Sequence, residues 1–185
     1  MSFDSQYAFN HFYEILQAAP VAVLVTVVSA FLGLFGGMLF CVVRLRRIPV
    51  LNTIVGLLVS LIRSTPILVQ LYVVCYGMPR IVAFVHQNPK FVSNVTIYPN
   101  TVAIVTFTLY ASAYFCEIFR SAYFTVGEGQ RESIKSLNLP AVHAVSRIII
   151  PQAAINAVPN ISNSVIDMLK NTSLLYTISV MDIMA

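Results

Sequence analysis

The segment Gly127-Glu-Gly-Gln-Arg-Glu-Ser-Ile-Lys-Ser-Leu-Asn-Leu-Pro-Ala-Val-His-Ala-Val-Ser-Arg-Ile-Ile-Ile-Pro-Gln-Ala-Ala154 is polar and helix-forming, yet it lies between long apolar runs. Thr125 and Glu128 have the spacing of a capping box, and Glu132 stands early in the first arm, where a negative charge complements the helix dipole. Asn138 supplies a stop, because asparagine tolerates the left-handed conformation that ends helices. Pro140 favours the first turn of a helix and starts a second arm from Ala141 onward. Ile134, Leu137, Val142 and Val145 give the two arms apolar faces to share or to present to a partner. The segment therefore predicts a compact helical hairpin built to dock at a membrane face.

The composition around it is that of an integral membrane protein. Hydrophobic residues make up 58% of the 185 and charged residues 10%, against roughly 25% charged in soluble domains. There is room for about four or five spanning helices of roughly 20 residues each and for no second, soluble domain, so residues 1–185 are read as one transmembrane unit. The uncharged run Ile15 to Val43 is too long for a signal-peptide core and reads as a retained first span. Cys41, Cys75 and Cys116 lie in apolar surroundings without metal-ligand spacing and read as small buried hydrophobes. The net charge of +4 follows the positive-inside pattern and does not call for nucleic acid. Arg44, Arg46 and Arg47 follow the first span, Arg80 and Lys90 are alone in the 79–99 connection, and the segment from Arg120 to Arg147 again carries Arg120, Arg131, Lys135 and Arg147. The N-terminus is expected outside and the hairpin inside.

Met1 to Glu14 reads as a short polar and aromatic lead lying along the membrane, with Tyr7, Phe9, Phe12 and Tyr13 in the outer interfacial belt. In span one, Ser29, Gly33 and Gly37 recur every four residues, a small-residue stripe read as packing within the bundle rather than as a dimer contact. A second apolar region, Leu51 to Met78, is interrupted by Arg63-Ser64-Thr65-Pro66. A mid-membrane arginine must face protein or water, and the proline frees a carbonyl that needs a partner. Two readings stand for Arg63: it pins the break by binding carbonyls, or it contacts substrate. Span three, Asn100 to Phe119, ends with Glu117 and Arg120 one turn apart, an interfacial ion pair or part of a path. Span four, Ile148 to Ile166, carries Pro151, Pro159, Asn156, Asn160 and Asn163, and its polar faces imply burial or a wet path. Asp167, Lys170, Asn171, Thr172 and Ser173 follow, and a short apolar run then reads as a fifth span that begins and is not completed.

From Glu132, the pattern Glu-Ser-Ile, three residues, Asn138, nine residues and Ile148-Ile149-Ile150-Pro151 resembles the EAA motif of binding-protein-dependent ABC importer permeases, Glu-Ala-Ala-x3-Gly-x9-Ile-x-Leu-Pro. Ser133, Ile134, Asn138 and Ile150 replace the family's Ala, Ala, Gly and Leu. Arg63 to Leu71 is similar to the Arg-Gly-Thr-Pro-x-Leu-Val-Gln segment of the polar amino-acid branch, histidine and glutamine permeases included. Ala113 to Arg120, Pro151-Gln152-Ala153 and Leu169 to Leu174 match further segments in order.

The resemblance implies an all-α, polytopic permease with a five-helix core, its last helix here truncated, and a coupling hairpin over 127–151. It implies a bacterial cytoplasmic-membrane location and three kinds of partner besides the bilayer: ABC ATPase subunits, an extracytoplasmic amino-acid-binding protein, and a second permease copy or a homologous permease. ATP and Mg belong to the partner ATPase, since this chain lacks a Gly-x4-Gly-Lys-Ser/Thr phosphate loop. Gly129, Glu132, Ser133, Ile134, Leu137, Asn138 and Pro140 are the expected ATPase-coupling residues. Arg63, Thr65, Glu117, Asp167, Lys170, Thr172 and Ser173 are candidates for the translocation path or gate, or for support around it. The alternative is a truncated, non-transporting scaffold or regulatory remnant. A secondary transporter would need its own coupling-ion site and usually an inverted repeat. A membrane enzyme is disfavoured because His11, His86 and His143 fall in three separate regions, and no catalytic or metal residues are assigned.

Overall fold

The computed structural model describes residues 5–85 and 98–178, which contain helices and no strand. Helix α1, Ser5–Leu45, runs 41 residues, about 60 Å at 1.5 Å per residue. No glycine or proline interrupts it before Pro20, so residues from Ser5 continue the same helix as the first span. The lead expected along the membrane is thus, from Ser5, the first part of α1; its aromatic side chains lie outside the described residues. Lys90 and the rest of 86–97 lie outside them as well.

Helix α4 is the centre of the bundle. Spanning Pro99–Thr125 with Pro99 at its first turn, it buries Phe107, Ala111, Phe115 and Cys116 against its neighbours. The α1–α4 interface is the most extensive in the fold, and the small-residue stripe explains why. A Cβ added at Gly33 would lie 2.3 Å from the Ala111 Cβ, and one at Gly37 would lie 2.7 Å from the Phe115 Cβ. The backbones approach this closely only because the side chains are missing. Ser29 Oγ, on the same stripe, donates to the Ile104 carbonyl at 3.3 Å. The stripe thus packs inside the bundle, as its sequence reading expects.

Helices α2, Leu51–Ser64, and α3, Ile67–Val85, form one apolar unit bent by 114° at residues 65–66. The chain therefore turns back on itself there and does not cross as one straight rod. Helix α3 also continues through Pro79, beyond the end at Met78 that the sequence suggests. Proline in a helix costs one hydrogen bond, which membrane helices accommodate.

After α4 come α5, Glu128–Ser136, the short α6, Ala141–Ala144, and a π-helical turn, Val145–Ile149. The turn runs directly into α7, Ile150–Asn171, which packs on α4, and a 3-10 helix, Thr172–Ile178, follows. The apolar core joins α1, α3, α4, α7 and the 3-10 helix through Val25, Leu71, Phe107, Phe115, Met168 and Leu175. Among the described residues, Ala19–Leu45 and Pro99–Thr125 are long and apolar enough to cross a membrane, and the bent pair makes a third unit. Helix α7 has the length but is too polar to join them. The expected start of a fifth span coincides with the 3-10 helix, and residues beyond Ile178 lie outside the described set.

Candidate functional site

Two short helical arms stand on either side of a turn at Asn138. Asn138 has φ 48°, in the left-handed region, and the Leu139 N–H reaches back to the Ile134 carbonyl at 3.3 Å, closing the first arm. The Ala144 N–H bonds to the Pro140 carbonyl at 3.0 Å and opens the second. Thr125, expected to cap the first arm, is instead the last residue of α4, and its hydroxyl donates to the Ser121 carbonyl at 2.9 Å. Val126 and Gly127 separate the two helices, and the hydroxyl makes the back-bond to the carbonyl four residues earlier that helical threonines commonly make. Gly129, Glu132, Ser133, Leu137, Asn138 and Pro140 are all exposed, and Ile134 is half-buried. Leu137 is 69% and Val142 is 76% exposed, so these apolar groups point away from the bundle instead of being shared between the arms.

The elbow between α2 and α3 answers the question posed by Pro66. Pro66 has no N–H for the Ile62 carbonyl, four residues back. The Gln70 side-chain amide takes that place, donating from Nε2 to the Ile62 carbonyl at 2.7 Å. The same nitrogen reaches the Thr65 carbonyl at 3.0 Å and Thr65 Oγ1 at 3.1 Å. Thr65 Oγ1 and Ser64 Oγ both donate to the Leu61 carbonyl at 3.0 Å. The carbonyls are therefore served by Gln70, Thr65 and Ser64, and the reading in which Arg63 pins the break does not hold. Arg63 lies exposed with its guanidinium 5.4 Å from the Tyr114 ring centroid, a cation–π contact. Tyr114 in turn stacks on Tyr110, with centroids 4.3 Å apart.

A second polar feature runs along α7. Asn156, Asn160, Asn163, Asp167 and Lys170 recur at intervals of four and three residues, the spacing of one helical face, and all are exposed. Asp167 and Lys170 pair loosely at 3.6 Å with both side chains largely exposed. Thr172 is buried, and its hydroxyl donates to the Leu169 carbonyl at 2.7 Å; the Ser173 hydroxyl donates to the Lys170 carbonyl at 2.8 Å. These two hydroxyls hold the junction of α7 with the 3-10 helix.

Glu117 carries the expected ion pair with Arg120, at 3.1 Å, and a second one with Arg44 of α1. The carboxylate is 19% exposed and the Arg44 side chain 21%, so the triad ties α1 to α4 in a partly desolvated setting. Arg44, Gln70 and Tyr114 are the residues that sequence reasoning left without a role. The signal for Gln70 was its place four residues after Pro66, and for Tyr114 its place three before Glu117. For Arg44 there was none, since 73 residues separate it from its partner.

The comparisons with known proteins agree with this architecture. Residues 5–181 match the family described as binding-protein-dependent transport system inner membrane component. The probable amino-acid permease protein YxeN of Bacillus subtilis (strain 168) is 34% identical over 182 residues, covering 98% of this chain and 77% of its own. The L-cystine transport system permease protein TcyL of the same organism is 34% identical over 163 residues, covering 88% of this chain and 66% of its own. The fold superposes on a crystal structure of an amino acid ABC transporter with histidines at a TM-score of 0.86 and 24% identity, covering all of this chain and 80% of the other. The inward-facing MetNI methionine ABC transporter gives 0.63 at 17% identity, with 93% and 76% covered. With a matching family over nearly its whole length and an all-helical transporter fold, the chain belongs to the binding-protein-dependent transport system inner membrane components, a permease component and not an enzyme.

Proposed function

We propose that the chain is the permease subunit of an ATP-driven importer for polar amino acids, coupled to separate ATPase subunits through the 127–151 hairpin. The observation that carries this reading is the hairpin itself. It presents Glu132, Leu137 and Val142 outward, it is stopped by a left-handed Asn138, and it continues into α7 with no intervening loop. A push on such a hairpin is transmitted along a helix and not absorbed in slack chain. Closure of the ATPase pair would then bias α7 between two arrangements of the bundle, a population shift driven by the partner's ATP and Mg.

The translocation path in this reading runs along the polar face of α7, with Arg63 and Tyr114 beside the α2–α3 elbow. Exposed amides and an ion pair are costly against lipid. Their regular spacing supports a covering second permease, copy or homologue, with a wet seam between. Thr65, Glu117, Thr172 and Ser173 support that path through the helix-end and interhelix bonds described above. An extracytoplasmic binding protein delivers the substrate, and the arginine-rich inner segments support an N-terminus outside, in a bacterial cytoplasmic membrane. The relatives' names support the amino-acid substrate class.

The test is co-purification from membranes with a candidate ABC ATPase, comparing the native chain with Glu132→Lys. Charge reversal on the exposed face is expected to abolish stimulated ATP hydrolysis while leaving the bundle folded. Equal association and hydrolysis in both forms would refute the coupling role, and association without stimulated hydrolysis in the native chain would favour a non-transporting scaffold.

A further inference from the structure

The α2–α3 elbow is held by an arrangement that looks more elaborate than a bend alone requires. Ser64 and Thr65 hydroxyls already serve the Leu61 carbonyl, as hydroxyls near a helix end commonly do. The two carbonyls that no neighbouring backbone donor serves, those of Ile62 and Thr65, converge on one nitrogen from the next helix, Gln70 Nε2. The Val69 and Gln70 N–H groups bond instead to the Pro66 carbonyl, at 3.0 and 3.2 Å. The Gln70 amide thus closes the end of α2 from the first turn of α3, crossing the break, with the Thr65 hydroxyl as a second, longer donor to the Ile62 carbonyl at 3.3 Å. Arg63 stands one residue after Ile62, on the turn that this amide fixes, and its guanidinium rests over Tyr114 of α4.

We propose that Gln70 is a positioning residue: its amide N–H groups lock the elbow at its observed angle and thereby hold Arg63 over Tyr114. The chemistry is specific. The acceptors are two carbonyls and a hydroxyl, so the position needs a neutral N–H donor. A glutamate of the same shape brings oxygen lone pairs against carbonyl lone pairs and opens the lock, and a leucine removes the donor to the Thr65 carbonyl and leaves the Ile62 carbonyl only the longer Thr65 hydroxyl bond at 3.3 Å. Arg63 would then swing with the end of α2, and its ring contact would go. The part of this that concerns transport rests on the path proposed above, whereas the lock itself does not.

Two measurements separate them. In the first, spin labels at Leu57→Cys on α2 and Val73→Cys on α3, both exposed, report the elbow angle by pulsed dipolar spectroscopy. The chain is held in lipid nanodiscs with Cys41, Cys75 and Cys116 replaced. The native glutamine should give one narrow distance distribution, and both Gln70→Glu and Gln70→Leu should broaden it, by about twofold in width, as a fixed elbow becomes a set of conformers. An unchanged distribution in Gln70→Glu would overturn the lock, because shape alone would then suffice.

The second measurement is uptake of labelled L-glutamine, L-histidine and L-cystine by the assembled transporter carrying Gln70→Leu, Arg63→Gln or both. If Gln70 acts through Arg63, each single change should lower uptake by on the order of tenfold, and the double change should be no worse than the weaker single variant. Multiplying losses, or a loss with Gln70→Leu alone, would overturn the action through Arg63. Failure of the importer reading has a different signature: the native assembly takes up none of the three while the elbow distances still respond to Gln70.

Discussion

Replacing Gly33 with alanine tests whether the α1–α4 contact is what holds the bundle together. The new Cβ would meet the Ala111 Cβ at 2.3 Å and the backbone of Ala111 and Ser112 at 3.3 Å. Carbon atoms rest at about 3.5–4.0 Å, so the two helices must part by more than 1 Å at this level, roughly. Overpacking of this kind costs about 1–3 kcal/mol, and in lipid the lost van der Waals contact is not returned by a hydrophobic gain elsewhere. The better helix propensity of alanine offsets at most about 1 kcal/mol. A net loss of about 1–2 kcal/mol is expected, and parting the helices also stretches the Ser29–Ile104 hydrogen bond, which lies one turn away at 3.3 Å.

Thermal unfolding in detergent, followed by circular dichroism, reads the effect, with two controls. Gly56 has no neighbour within 4 Å of its added Cβ, so Gly56→Ala should be neutral or stabilising. Ala111→Gly removes the atom that Gly33→Ala strikes, so the double variant should recover most of the loss. If Gly33→Ala is as stable as the native chain, or if Ala111→Gly does not rescue it, the close-packed stripe is not what joins these helices.

The charged groups separate in the same assay. Glu117→Gln strands Arg44 and Arg120 in a partly desolvated place and should cost about 1–2 kcal/mol after discounting for residual exposure. Asp167→Asn breaks a largely exposed pair and should change stability by less than about 0.5 kcal/mol. At the hairpin, Asn138→Gly should leave the turn intact, whereas Asn138→Val forces a β-branched residue to φ 48° and should cost about 1–2 kcal/mol locally. Amide hydrogen exchange across residues 128–144 reads that change directly.

Much of the architecture was legible because membrane residence makes local chemistry decisive. Lipid offers no hydrogen bonds, so apolar length marks the spans Ala19–Leu45 and Pro99–Thr125. Asn138 before Leu-Pro marked the hairpin turn, and the four-residue stripe marked the α1–α4 contact. These signals depend on residues near one another in sequence, which is where a linear reading is strongest. The break at Pro66 was located correctly, but its partner was not, because arginine is the more conspicuous donor and glutamine the better placed one.

The sequence by itself determined that this is a polytopic helical membrane protein with a polar segment between apolar runs, and the motif order carried its family. Only the tertiary structure decided that the chain turns by 114° between α2 and α3, that Gln70 and not Arg63 closes that turn, and that Glu117 belongs to α1 as much as to α4. The reason is physical. Apolar period and turn chemistry are set within a few residues, whereas which donor reaches a freed carbonyl, and which cation reaches a carboxylate, depends on how whole helices lie against one another.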